Sequence, residues 1–397
     1  MTRIPLSFIA FAGFGVFWGV WGAALPALRE AAGLSDAQLG SALLCVGLGA
    51  LPAMLFTGRA VDRFGSRITG LLLGCLALSG IVVALFARDI LTMCMSMLLV
   101  GAASGASDVA ANALAGQEEA RSNRRIITLA HAVFSSFVVI GSLGAAAIFG
   151  GAGGAPLTFI VSGVAILASG IAVFVRGTGS RTTLARRSLP PRRPLTLMLP
   201  FVAVGLVGAL GFAAENAHQS WGAIYLVDEL RAAPALAAIA PATFAACAAI
   251  TRFAVGFSNR MPSAVLLAGG AIVAVAGTVL IAAAEDIATA LLGLALAAAG
   301  TSVLFPTLLS QAVRGATDDL RGSTTSVIAT TAYIGFLLGP VYVGLLSSTT
   351  GLRGAMIGVA TLVAAFAVLA PLVLRLRALA PAEAPQSGSA VSPRCPP

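Results

Sequence analysis

The sequence predicts an all-α membrane protein of twelve transmembrane helices arranged as two six-helix bundles. Three observations predict it. Apolar residues make up 58% of the 397 positions and charged residues 10%, where a soluble domain carries about 25% charged residues. Twelve apolar stretches are each long enough to cross a bilayer core, which takes about 20 helical residues. The polar connections between them alternate between arginine-rich and arginine-poor. The mean hydropathy of +0.97 agrees.

The twelve stretches fall near residues 6–28, 38–57, 69–87, 90–114, 126–149, 155–175, 197–226, 236–257, 264–284, 287–313, 323–348 and 352–374. Backbone groups in hydrocarbon must bond internally, so each is expected to be helical. Pro52, Pro241, Pro306 and Pro340 fall inside spans and are expected to kink or break them. The first stretch, preceded by Arg3 and followed by no cleavage-type site, is expected to be a retained helix, not a signal peptide.

All 24 basic residues are arginine. With the N-terminus inside, nineteen fall in cytoplasmic loops and tails, and four (Arg29, Arg88, Arg231 and Arg353) fall outside. This asymmetry places both termini in the cytoplasm and makes the protein multi-pass in the cell inner or plasma membrane. It also accounts for the net charge of +9 without nucleic-acid binding. Arg252 lies within the eighth span and is expected to snorkel to the cytoplasmic face, with a ligand contact as the alternative. Five cysteines show no CxxC or Cys/His spacing, so neither a disulfide framework nor a metal site is expected.

The longest polar connection, Arg176 to Thr196, divides the chain evenly. Expected units are a first bundle at 1–175, a basic cytoplasmic linker at 176–196, a second bundle at 197–377 and a disordered tail at 378–397. Two equal halves suggest an internal repeat.

Chemistry-bearing residues are few. Asp108 and Glu215 are the acids set well within spans, where a charge costs roughly 2.5–3.5 kcal/mol on insertion scales. Asp108 and Asn112, four apart, share a helix face, and His131 opens the next span at similar depth. These three are expected to cluster, either as a structural latch or as a proton or solute path. In "GFAAENAHQSWGAIYL", Glu215, His218 and Trp221 are taken to share one face in the outer half of the seventh span, with Asn216 and Gln219 beside it. Phe14, Trp18 and Trp21 form an aromatic stripe on the first span, with Trp18 at mid-depth. No nucleophile–base set, phosphate loop or metal set appears, so neither an enzyme nor a cofactor is expected.

The loop "GRAVDRFGSR" after the second span resembles the signature loop of the major facilitator superfamily, keeping Gly58, Asp62, Arg63, Gly65 and the basic Arg67. Gly58 is expected to end the helix, Asp62 and Arg63 to sit in a tight turn, and Gly65 to turn the backbone. "SDVAANALAG", "ITLAHAVFSS" and "AYIGFLLGPVYVG" resemble the sugar-permease-like (fucose-permease-like) branch of that superfamily, although Ala111 and Ala332 depart from its pattern. The resemblance implies a secondary transporter working by alternating access. It implies a central cavity lined by a seventh span that unwinds toward the outside, with Asp62, Arg63 and Arg67 as a conformational latch. Expected partners are a small solute, leaning to sugar or another small polar molecule, protons and the lipid bilayer, with the chain acting as a monomer. Drug or metabolite efflux is the alternative, and a non-transporting membrane receptor is the alternative from another class.

Overall fold

The computed structural model describes residues 4–122, 126–151, 153–177, 195–257, 261–314 and 318–375. The expected linker and tail therefore fall almost entirely outside the described residues. The helices are α1 (Leu6–Ala31), α2 (Asp36–Phe64), α3 (Arg67–Phe86), α4 (Ile90–Ser122), α5 (Ile126–Gly150), α6 (Ala155–Arg176), α7 (Leu195–Asp228), α8 (Pro234–Ala237), α9 (Ile239–Phe257), α10 (Ser263–Ala283), α11 (Ile287–Arg314) and α12 (Asp318–Leu374). Eleven helices among the described residues are long and apolar enough to cross a membrane. α12 contains a non-helical Gly351 at φ 70, ψ 172, which separates a first arm (318–350) from a second (352–374). That φ suits glycine, because other residues crowd Cβ there.

Local chemistry fixes several helix starts. Ser35 and Gln38 form a reciprocal capping box at the head of α2. Glu118 of α4 accepts from the free Leu6 and Ser7 amides at the start of α1, at 2.7 and 3.2 Å. Asp89 and Asp286 repeat one device: each carboxylate accepts from the backbone N–H of the threonine three residues on, Thr92 and Thr289. Those amide donors hold both exposed carboxyls below the usual range. The two caps open α4 and α11, which occupy matching places in the two halves.

The same correspondence runs through the packing. In the first half α1 lies on α5, α2 on α4 and α3 on α6. In the second half α7 lies on the first arm of α12, α9 on α11 and α10 on α12. The halves meet through α2 against α12 and α5 against α9. Pro52, Pro306 and Pro340 all lie inside continuous helices. Pro241 sits in the first turn of α9, where no intrahelical N–H is needed. Pro52, Pro306 and Pro340 do not break their helices, whereas the expected eighth span is interrupted just ahead of Pro241, at Ala238 between α8 and α9.

Outward faces are apolar. α3 exposes Leu71, Leu78 and Leu85, seven residues apart, while Leu73, Leu76 and Val83 are buried. An exposed leucine stripe beside a buried one is what a helix between lipid and protein requires.

Two ends of the bundle are distinguished below. The terminus end holds the start of α1 and the end of α2; the far end holds the end of α1 and the start of α2. The far end is closed by contacts between the halves. Arg29, in the last turn of α1, pairs with Asp36 of α2 and Asp228 of α7, both at 2.6 Å. The Ser142 hydroxyl of α5 donates to the Ala238 carbonyl. Gly40 and Gly344 allow α2 and α12 to touch, since a Cβ on Gly40 would fall 2.9 Å from the Pro340 oxygen.

Arg29→Ala should loosen this closure. It strands two carboxylates that are mostly buried, and a charge-assisted hydrogen bond contributes about 1.5–3 kcal/mol. Thiol labelling of a Ser220→Cys reporter from the far side, in a background without native cysteines, should rise about tenfold. Unchanged labelling would show that helix packing alone closes this end.

Candidate functional site

A cavity of about 330 Å³ lies between the halves. Its walls come from α1, α2, α4, α5, α7, α9 and the first arm of α12. The apolar part is largely aromatic: Phe14, Trp18 and Trp21 of α1, Phe134 of α5, Phe244 of α9, and Tyr333 and Phe336 of α12. Tyr333 and Phe336 stack at 5.2 Å, and Trp18 meets Trp21 edge-on at 6.3 Å. The whole stripe read on the first span thus faces the cavity, Phe14 and Trp21 included.

The polar part contains three charged side chains. Asp108, Glu215 and Arg252 all line the cavity. Arg252 Nη2 donates to Glu215 Oε1 at 2.8 Å, and Arg252 Nε donates to the Ser302 carbonyl at 3.2 Å. Gln219 Nε2 lies 3.4 Å from the same Glu215 oxygen. Glu215 lies thirteen residues before Asp228, where α7 ends, about 20 Å along the helix. Arg252 lies eighteen residues after Pro234 and three before Val255, the bounds of its apolar span, about one turn from the span's terminus end. Its guanidinium is turned to the cavity, where the Glu215 carboxylate holds it.

Asp108, Asn112 and His131 come together as the spacing predicts. Asn112 Nδ2 donates to Asp108 Oδ1 at 3.0 Å and to the Asp108 carbonyl at 2.9 Å. His131 Nε2 lies 3.2 Å from Asn112 Oδ1. The cluster leads from the cavity wall to an exposed imidazole. No guanidinium of a described residue pairs with Asp108.

The seventh-span reading needs three corrections. First, α7 is continuous from Leu195 to Asp228 and does not unwind. Second, Glu215, His218 and Trp221 do not share a face. The cavity side is Glu215, Asn216, Gln219 and Ser220, the i, i+1, i+4, i+5 set of one helix face. His218 is turned into the second half, where Nε2 lies 3.0 Å from Thr278 Oγ1 and the ring lies parallel to Phe244. Trp221 is fully buried and donates to the Pro340 carbonyl at 3.2 Å. Third, Asn216 does not serve freed backbone of its own helix; it donates to the Phe336 carbonyl of α12.

The signature loop also differs from expectation. α2 continues through Gly58 to Phe64 and ends at Gly65, φ 67. Gly58 does not end the helix, and Asp62 and Arg63 lie in its last turn; the side chain of Asp62 falls outside the described residues. Arg63 stacks its guanidinium over Phe64 at 5.3 Å. Arg67 Nε donates to the Gly177 carbonyl at 3.1 Å and covers Phe174, joining the start of α3 to the end of α6.

The sequence and the fold match known proteins. The family model described as Major Facilitator Superfamily matches residues 6–340 and 223–395. The chain belongs to the major facilitator superfamily. Within it, the chain is 28% identical to an uncharacterized MFS-type transporter of Yersinia pestis over 371 residues, covering 92% of this chain and 94% of that one. It is 26% identical to the membrane protein MosC of Rhizobium meliloti over 361 residues, covering 89% and 86%. Two solved superfamily folds superpose on it. A bacterial homolog of the human lysosomal transporter Spinster, inward-facing and occupied, gives a TM-score of 0.72 at 18% identity, over 94% of this chain and 96% of that one. The nucleoside transporter NupG gives 0.74 at 12% identity, over 94% and 98%. The chain is therefore a multi-pass membrane transporter of the secondary class.

Proposed function

We propose that this transporter moves a small polar solute, sugars among the candidates, by alternating access coupled to protons at Asp108. The observation that carries the reading is the contrast between the two cavity acids. Glu215 pairs with the Arg252 guanidinium and balances its charge. Asp108 has an amide partner, so it can take up a proton without stranding a cation. The other titratable or charged groups around Asp108 are Tyr333, Glu215 and Arg252 on the cavity wall, with His131 behind Asn112. Asn112 and His131 form the branch from Asp108 toward the terminus end.

The closed far end and the arginine distribution support an inward-facing state with both termini cytoplasmic. On this reading the Gly351 break makes α12 two crossings, giving twelve in two bundles at 1–175 and 197–377, in the inner or plasma membrane, acting as a monomer. Gly58, Asp62, Arg63, Gly65 and Arg67 would form the latch that holds the inward-closed form. The residues quoted for the sugar-permease-like branch support a sugar-sized solute. A second reading, efflux of an apolar metabolite or drug, is favoured by the aromatic lining. The test is flux in proteoliposomes with an imposed pH gradient and an internal pH dye, across sugars, sugar acids, amino acids, nucleosides and amphipathic drugs. Proton movement that follows a polar solute supports the first reading; movement with amphipathic drugs alone supports the second.

A further inference from the structure

We infer that the transported solute carries a carboxylate, which docks on Arg252 in the place Glu215 occupies in this structure. This rests on the transport reading above and narrows its solute class.

A guanidinium turned into a cavity within a membrane bundle is costly to place, so it needs a partner. Two of its nitrogens are engaged, Nε by the Ser302 carbonyl and Nη2 by Glu215. Nη1 makes no hydrogen bond to a described residue. An arginine fork matches a carboxylate through two parallel N–H groups, so the Glu215 contact leaves half of it open. Both line the cavity, and the guanidinium is the more open of the pair, its side chain 46% exposed against 10% for Glu215. An entering solute therefore meets the cation first. Glu215 acts as an internal stand-in for the ligand. When displaced, it keeps Gln219 as a partner. A cationic solute is disfavoured at Glu215, because the acid is mostly covered and Oε1 already receives two contacts.

The test uses the purified full chain and two matched sets of probes that share a ring and differ in charge. One set is glucose, glucuronate and glucosamine; the other is benzyl alcohol, benzoate and benzylamine. Trp18 and Trp21 line the cavity while Trp221 is fully buried, so tryptophan fluorescence reports occupancy alongside thermal shift. Carboxylate members should bind saturably, and neutral and amine members should not. Arg252→Gln should abolish that binding. Glu215→Gln should tighten it about tenfold, because it removes the competing carboxylate. The inference is overturned if neutral or amine members match the carboxylates, if no carboxylate binds, or if Glu215→Gln weakens carboxylate binding. The last arm stands even where Arg252→Gln fails to fold. Proton-driven uptake of a neutral solute would sink this inference and leave the transport reading intact. Carboxylate binding on Arg252 without flux would do the reverse.

Discussion

Asp108→Asn should abolish proton-driven accumulation while leaving solute exchange across the membrane. The asparagine is isosteric with the neutral acid and still accepts from Asn112 through its amide oxygen, so the local bond at 3.0 Å can persist. What is lost is the site that changes charge. A coupling ion works only by binding the two conformations differently. Remove that differential and the gradient no longer biases the cycle, although the solute can still ride it. In proteoliposomes, uphill uptake under a pH gradient should fall at least about a hundredfold, which is about 2.7 kcal/mol of lost coupling. Counterflow of labelled against unlabelled solute should stay within about threefold of wild type, under 1 kcal/mol. If Asp108→Asn still accumulates solute, the proton is carried elsewhere, and Glu215 is the next acid to replace. If counterflow also vanishes, Asp108 shapes the cavity and its charge is incidental.

The split between what sequence shows and what folding adds is visible at single residues. Span positions were legible because lipid imposes one demand on twenty residues at a time. Asp108 and Asn112 were legible because a four-residue step nearly closes a helical turn, and His131 because it opens the next span at similar depth. The seventh span failed on the same arithmetic. Each residue advances the helix by about 100°, so steps of three drift by about 60° each. Glu215 and Trp221, two such steps apart, end about 120° apart. The set 215, 216, 219 and 220 would have marked the cavity face. Arg252 does lie about one turn from the end of its span; what the sequence does not show is that its guanidinium turns to Glu215 in the cavity. Gly58 shows a different limit. Two glycines bracket Asp62 and Arg63, and composition does not say which one takes the positive φ. The structure gives it to Gly65, seven residues later, because the helix gains bonds by continuing. That Tyr333 and Phe336 line the cavity was not legible at all, since which faces meet between the halves depends on how the halves close.

Gly101→Leu should prevent folding of the first bundle, whereas Gly144→Leu should be nearly silent. Both glycines lie inside long helices, and helix propensity alone would make either change favourable by nearly 1 kcal/mol. Their surroundings differ. A Cβ on Gly101 would land on the Val46 carbonyl of α2, and one on Gly105 would fall 2.9 Å from Ala50. Gly49 stands in the same relation to the Leu98 carbonyl of α4. The two helices therefore touch backbone to backbone, and a backbone carbonyl has no rotamer to move out of the way. Around Gly144 there is nothing within 4 Å. In lipid, helices are not driven together by apolar burial, because lipid tails are as apolar as leucine; close packing through small residues holds them. Overpacking costs about 1–3 kcal/mol where side chains can yield, and here α2 and α4 must separate as whole helices. The expected cost is at least about 3 kcal/mol, a large part of a typical 5–15 kcal/mol margin. Gly335 on α12 presses on the Ala209 carbonyl of α7 in the same way, so Gly335→Leu should cripple the second bundle. Size-exclusion profiles and melting temperatures of the three variants decide it. A monodisperse Gly101→Leu protein with an unchanged melting temperature would mean that α2 and α4 do not approach this closely, and the cavity wall they share would have to be redrawn.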